Sequence, residues 1–518
     1  MGTTWCLWCV HASLLLCILN SVDGQAIDGC PMYGCRPSGS FSYAFDAPRY
    51  NATIGWSVEN FVGPIPEAMG CVGNSVALVC QSNGPGPADT GLMSLDLSDG
   101  KVRWRDPILR FPVLPVMDVD GNIWASDGFN LMHYDTNGKP ISDQIRLDPD
   151  MRPLLGINYI PDNDFILLVS GNGQITTKTS DGTPMAELVL KGSVERANGT
   201  FLPVAPAVVN GNRFYVLTEF APDNGAEVGN LGLQRLYAID TFSRMTGRIE
   251  IAWYANFERE SRQKNSKTGP LRYRPKSWRR KLRRTLKNEA LPKPSILYDK
   301  FLNTIYISLP PPMLRNGRDT PNAMEYLIGV KDLNNDSALV FRAPRSGINL
   351  VAYEMNTQEP QPNAGDQLWV SVTDGNLLAI GRDGNISKAI KLEDVLKTKF
   401  KITSKLTVMR AREADEDFLV FGIEVEETPE EFLNVLEHFN IKTSEPTPTK
   451  FVLGVDTPEN DKASSRPFFP LAWMVATPDD SVVNGQIIGI QSTDASTKDM
   501  LVVFSQVEGK FGKYFTIV

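Results

Sequence analysis

The stretch GLMSLDLSDGKVRW, Gly91–Trp104, alternates Met93, Leu95 and Leu97, turns at Asp99-Gly100, and resumes with Val102 and Trp104. Alternation places apolar side chains on one face of a strand, and Asp-Gly is a strong short-range hairpin signal. This reads as a β-hairpin.

Working outward, the same order of features returns in LYAIDTFSRMTGRIEIAW, Leu236–Trp253, with Thr246-Gly247 at the turn and Trp253 at the close. Fainter copies are NLMHYDTNGKPI (Asn130–Ile141), QITTKTSDGTPM (Gln174–Met185), NLLAIGRDGNIS (Asn376–Ser387) and FVLGVDTPEN (Phe451–Asn460). Between them lie DVDGNIWASD (Asp118–Asp127), VVNGNRFYVLT (Val208–Thr218), YDKFLNTIYISL (Tyr298–Leu309), GDQLWVSVTDG (Gly365–Gly375) and VVNGQIIGIQS (Val482–Ser492). Each sets a Gly, Asn or Asp turn before a β-branched or aromatic run. Two such hairpins supply about four strands, the content of one propeller blade.

A strand ending in an aliphatic-Asp pair, then Ser/Thr-x-Gly-Lys or Thr-Gly-Arg, then Trp, resembles the repeat of pyrroloquinoline-quinone-type β-propellers. Asp96, Gly100 and Trp104 carry the resemblance, as do Asp240, Gly247 and Trp253. It extends over roughly residues 76–515. It implies an all-β chain folded as a single seven- or eight-bladed β-propeller, with eight favoured at about 50 residues per blade. The Trp is then expected to pack between blades and the turn Gly to take a positive φ. Closure calls for a strand borrowed from the other terminus, so Leu501–Ser505 or Tyr514–Val518 is expected to pair near Val76–Val79.

Residues 1–24 carry an apolar run from Trp5 to Leu19, with Val22 and Gly24 at signal-cleavage spacing, and read as a secretory signal peptide. No later segment approaches the roughly 18 apolar residues of a membrane span. The expectation is a secreted, extracellular protein with a disulfide-bearing segment at 25–75 and the propeller at 76–518. Cys30, Cys35, Cys71 and Cys80 remain after the signal. In an oxidising compartment they read as two disulfides, with all three connectivities open. Their spacing, with no histidine nearby, fits zinc poorly. Asn51, Asn198, Asn335 and Asn385 head N-x-S/T sequons.

Two insertions interrupt the β pattern. Residues 258–292 include thirteen Lys/Arg against one acid between Arg259 and Lys287, a net +12 that leaves −20 on the rest of a −8 chain. Arg272, Arg274, Arg279, Arg280, Arg283 and Arg284, with Tyr273 and Trp278 among them, would suit an acidic glycan, an acidic lipid or an acidic patch on an extracellular protein. Nucleic acid is the least fitting polyanion for a secreted chain. Arg280–Arg284 also resembles a dibasic processing site, and a solvated loop is the plain alternative. Residues 426–440, EETPEEFLNVLEHFN, read as a short amphipathic helix capped at Thr428, with Phe432, Val435, Leu436 and Phe439 on one face.

Catalytic residue types are scarce. His133 is expected at an outward or edge position and His438 on the solvated face of the helix. No G-x-S-x-G, P-loop, H-E-x-x-H or G-x-G-x-x-G motif occurs. Asp118–Asn122 offers too few oxygens for calcium and reads as a turn. The resemblance to quinoprotein dehydrogenases would imply a calcium-bound quinone beside an adjacent-cysteine disulfide, but the chain has no Cys-Cys pair. No catalytic residue, metal or cofactor is therefore carried over. The expected function is a non-enzymatic binding module. The alternative is a secreted oxidoreductase-like enzyme with quinone or calcium at the central channel.

Overall fold

In the computed structural model of the chain, Thr90–Asp96 and Val102–Asp106 are antiparallel strands with Ser94 opposite Trp104. Gly100 closes the turn at φ 71°, its N–H donating to the Asp96 carbonyl at 2.9 Å. The second copy folds alike: Gln234–Thr241 pairs with Ile249–Phe257, Ala238 faces Trp253, and Gly247 takes φ 52°.

The structure describes residues 30–46, 52–61, 71–74, 77–83, 90–96, 99–109, 113–194, 197–223, 233–242, 246–257, 295–300, 302–309, 326–344, 347–352, 368–372, 376–381, 385–397, 400–402, 406–411, 416–428, 431–440, 445–446, 451–456, 471–477, 486–491 and 499–506. Residues 1–24, the basic segment 258–292 and Tyr514–Val518 lie outside them.

Among these residues the strands form eight sheets. Counted outward from the axis, the first strand of each is, in order, Cys71–Gly73, Val113–Met117, Leu154–Ile160, Val208–Asn210, Ser295–Asp299, Gly347–Ala352, Thr407–Ala411 and Leu471–Thr477. In the seventh sheet a further strand, Ser42–Asp46, lies parallel on the edge of Thr407–Ala411. From the first sheet to the seventh, each of these first strands touches the next. Leu471–Thr477 touches the seventh sheet through Glu416–Thr428 and the first through Cys71–Gly73. The sheets thus follow one another around an axis as a β-propeller.

The core lies between neighbouring sheets. Ile160, Leu167, Phe201, Phe214, Val216 and Tyr237 join the third to the fourth, and Val208, Tyr215, Trp253, Ile305 and Ile328 join the fourth to the fifth. Both repeat tryptophans reach across such a gap. Trp104 stacks on Tyr134 at 5.6 Å, and Trp253 donates Nε1–H to Asp332 at 2.9 Å.

Closure differs from the expected pairing. Asp499–Gln506, which contains Leu501–Ser505, pairs with Ala52–Phe61, Ser57 facing Val502. Ala77–Asn83 has no edge to offer, because Cys71–Gly73 and Thr90–Asp96 already flank it. The preceding strand closes the eighth sheet instead.

The amphipathic helix expected over 426–440 is also overturned. Glu431–Asn440 is a strand between Glu416–Thr428 and Phe451–Asp456, with Thr428 opposite Glu431. Apolar residues at i, i+3, i+4 and i+7 are compatible with either period in so short a run, and ladder hydrogen bonds on both edges decide for the strand. His438 accordingly lies on a strand, opposite Val420.

Asp499–Gln506 is central in its sheet, paired on both sides. Val502→Pro removes a ladder donor where both edges are used, so it should lower stability by on the order of 1–3 kcal/mol. A thermal unfolding midpoint equal to that of the parent chain would show that this strand does not close the ring.

Candidate functional site at the ring axis

Residues 30–41 have a composition that favours neither helix nor strand. Pro31 and Pro37 have no N–H to donate, and Gly34 and Gly39 permit left-handed backbone. The segment coils tightly: Gly34, Cys35, Gly39 and Phe41 take φ of 69°, 62°, 68° and 55°. The Cys30–Cys35 disulfide, Cys35 N–H to Met32 O at 2.8 Å and Phe41 N–H to Gly34 O at 3.0 Å hold the coil. A Cβ on Gly34 would come within 2.4 Å of the Gly39 Cα, so no larger residue fits there.

This coil fills the axis. Cys30 and Gly73 exchange N–H···O bonds at 2.6 and 2.8 Å, tying it to the first sheet. Met117 N–H donates to Pro31 O at 2.8 Å, Val209 N–H to Pro37 O at 2.7 Å, and Tyr298 N–H to Ser38 O at 2.9 Å. Asn158 Nδ2 reaches Pro37 O at 3.4 Å and Ala207 O at 2.8 Å. Met32 packs into the cluster of Val116, Trp124 and Leu131. The first five sheets are thereby bonded to one short stretch, and Ser42–Asp46 continues it along the seventh. These residues form an internal axle for the ring.

The second disulfide, Cys71–Cys80, joins residues directly opposite each other in the first sheet, so each cysteine pairs with its nearer neighbour in sequence. Asn198, Asn335 and Asn385 are exposed, while Asn51 lies outside the described residues. Arg272, Arg274, Arg279, Arg280, Arg283 and Arg284 also lie outside them.

One polar constellation escaped the sequence reading. Arg213 forks between the fourth and fifth sheets, donating to Asp240 at 2.5 and 2.8 Å and to Asp332 at 2.9 and 2.8 Å. Tyr215 donates to Asp332 at 2.6 Å. Burial alone would raise the Asp332 pKa, but the bonds from Tyr215, Arg213 and Trp253 outweigh it and hold the carboxyl below its ordinary value. Burial, then the Asp332 hydrogen bond, pushes the Tyr215 hydroxyl far above its own. Every charged group here is spent on a neighbour, which suits a bolt between sheets better than proton transfer. The aliphatic-Asp repeat hinted at Asp240, but nothing local marked Arg213 or Asp332.

His133 corrects an expectation. It is 3% exposed, in the middle of the second sheet between Ile123–Ser126 and Ile145–Arg146. Its ring stacks on Trp124 at 4.0 Å, and neither ring nitrogen has a hydrogen-bond partner. Neighbouring sheets cover both faces of a central strand, so alternation here does not mean an outward side chain. Asp118 Oδ2 stands 4.0 Å from His133 Nε2, but the carboxylate is occupied by the turn, accepting from Asp120 N–H, Asn122 N–H and Asn122 Nδ2.

Among the described residues no three His, Cys, Asp or Glu converge as a metal site, and no helix is long and apolar enough to cross a membrane. No family model and no curated protein matches the chain. Solved structures similar to it are propellers. The Dos1 propeller is 9% identical, with 90% of this chain and 98% of that one covered, at TM-score 0.44. The C-terminal WD40 domain of Sif2 is 10% identical, covering 90% and 100%, at 0.41. BamB from Moraxella catarrhalis is 14% identical, covering 72% and 87%, at 0.35. At this level of likeness no ligand or activity carries over.

Removing Arg213 leaves two carboxylates facing each other with Asp332 buried. Arg213→Ala should therefore cost about 3–5 kcal/mol in chemical denaturation, whereas a loss below about 1 kcal/mol would place the seam in solvent-like surroundings.

Burial lowers the His133 pKa from 6.5 to about 4. The unfolded chain then binds the proton first, so stability is full above pH 6.5 and falls as the pH drops toward 4, by about 3 kcal/mol. Asp118, raised by burial, acts in the opposite sense at the acid end. His133→Phe should flatten the slope between pH 6.5 and 4, and a parallel slope in both proteins would contradict the assignment.

Proposed function

We propose that this chain is a secreted, N-glycosylated propeller that works as a non-enzymatic binding module, its eight sheets acting as eight blades, and that residues 259–287 engage a sulfated glycan or an acidic protein surface. The observation that carries the reading is the charge division, +12 on that segment against −20 elsewhere. So steep a local field draws polyanions while the acidic body repels them, which orients the encounter. The bonding of residues 30–41 along the axis supports the non-enzymatic reading, because it occupies space that the alternative, a channel enzyme, would use.

The described residues that flank the segment support this reading. The segment leaves after Phe257, the end of an outermost strand, and the chain is next described at Ser295, which begins the first strand of the fifth sheet. Strands alternate in direction within a sheet, so the flanking residues Phe257 and Ser295 lie on the opposite face from the turns holding Asn335 and Asn385. Glycans at those two positions would leave the face of Phe257 and Ser295 uncovered. Asn198 lies near the far end of Arg213–Pro222, on the same face as Phe257 and Ser295, where Gly199 pairs with Pro222.

Deleting residues 259–287 should abolish retention on a heparin column at physiological salt while leaving the unfolding midpoint within a degree or two of the parent. Retention should fall with rising salt in the parent, since the Debye length shrinks from about 8 Å to about 3 Å between 0.15 and 1 M. Equal retention with and without the segment would remove polyanion binding from the proposal.

A further inference from the structure

We infer that the innermost strands form a main-chain peptide-binding site at the ring axis, filled here by the chain's own residues 30–46, which can take the same segment from a second copy of the chain. The basic segment 259–287 plays no part in this site.

The contacts are those of peptide recognition. Three sheets each aim one backbone N–H at a carbonyl of the segment: Met117 to Pro31, Val209 to Pro37 and Tyr298 to Ser38. The first sheet makes a reciprocal pair through Cys30 and Gly73, and Asn158 adds a side-chain donor from the third. Ser42–Asp46 then adds a parallel strand to Thr407–Ala411, Ser42 facing Val408 and Asp46 facing Arg410. Strand addition of this kind derives affinity from main-chain bonds and selectivity from side-chain fit. Selectivity here falls to Met32, seated among Val116, Trp124 and Leu131, and to Gly39, whose added Cβ would stand 2.9 Å from Val208 Cγ1.

Two features make the occupant separable. It shapes itself through the Cys30–Cys35 bridge and its internal Cys35–Met32, Gly39–Arg36 and Phe41–Gly34 hydrogen bonds, so it arrives pre-organised. It also precedes every strand of the ring wall, so moving it from one ring to another breaks no sheet ladder except its own pairing with Thr407–Ala411. Elements of this sort, tied to the body by one link, are those that exchange between copies.

The test uses a fluorescent synthetic peptide of residues 28–46, oxidised at Cys30 and Cys35, and the full-length chain carrying Gly39→Val. That variant's own segment cannot seat, both for the Val208 contact and for a φ of 68° that a β-branched residue resists. The peptide should bind the variant saturably in fluorescence anisotropy and raise its unfolding midpoint. The intact parent should bind at least tenfold more weakly, and a peptide with the same Gly39→Val change should not bind. Equal binding to parent and variant would place the contact on an outer surface and overturn the inference, as would no binding to a folded variant. Should the variant fail to fold, a protease site placed between Asp46 and Ala52 of the parent, cut after folding, replaces it. The freed segment should then exchange for labelled peptide in hundredfold excess, and its retention through a cycle of partial unfolding and refolding would equally overturn the inference.

Discussion

The first strand of each sheet must do something with the backbone groups that face the axis. A strand inside a sheet satisfies both edges, but a strand lining the centre of a ring has only one neighbour in its ladder. In this chain the inward N–H groups of Met117, Val209 and Tyr298 find the carbonyls of Pro31, Pro37 and Ser38. That choice sets the rest of the architecture. It draws residues 30–41 into the axis and carries Ser42–Asp46 onto the seventh sheet. Ala52–Phe61 is then left to close the eighth. Both ends of the ring are fastened by residues that precede its first complete sheet.

The axle also explains a local cost. Cys35 and Phe41 adopt left-handed backbone without being glycine, at φ 62° and 55°. Each such residue costs roughly 1–2 kcal/mol and persists only where surroundings over-determine it. Here the surroundings are a disulfide, a set of hydrogen bonds from several sheets, and the edge-on contact of Tyr33 with Phe41 at 5.2 Å. Strain and cross-link belong together: the bridge shrinks the conformations open to the free segment, so less is lost on wedging it into the ring.

Hairpins were legible because their signals are local. Alternation, Asp-Gly or Thr-Gly turns and a closing Trp all fall within one repeat, and both full copies fold as read. Strand Glu431–Asn440 was misread because its apolar spacing serves two periods, and only its partners at 416–428 and 451–456 decide between them. The axle was illegible for a stronger reason. Its bonds run from residue 31 to 117, from 37 to 209 and from 38 to 298, and no short window contains both ends. Cys30–Cys35 was visible as a pair of thiols, but nothing in the spacing said that the loop between them sits at the centre of the molecule.

The Arg213 seam follows from the same wornness of the repeats. Apolar faces from neighbouring sheets can slide past one another at little cost, because aliphatic contacts are not directional. A guanidinium fork held by Asp240 in its own sheet and Asp332 in the next admits one alignment only, and Tyr215 and Trp253 converge on the same carboxylate. Buried charge of this kind is weak support for stability and better support for register. In a ring whose repeats have diverged, such a bolt would let the fourth and fifth sheets find their alignment without help from a repeated motif.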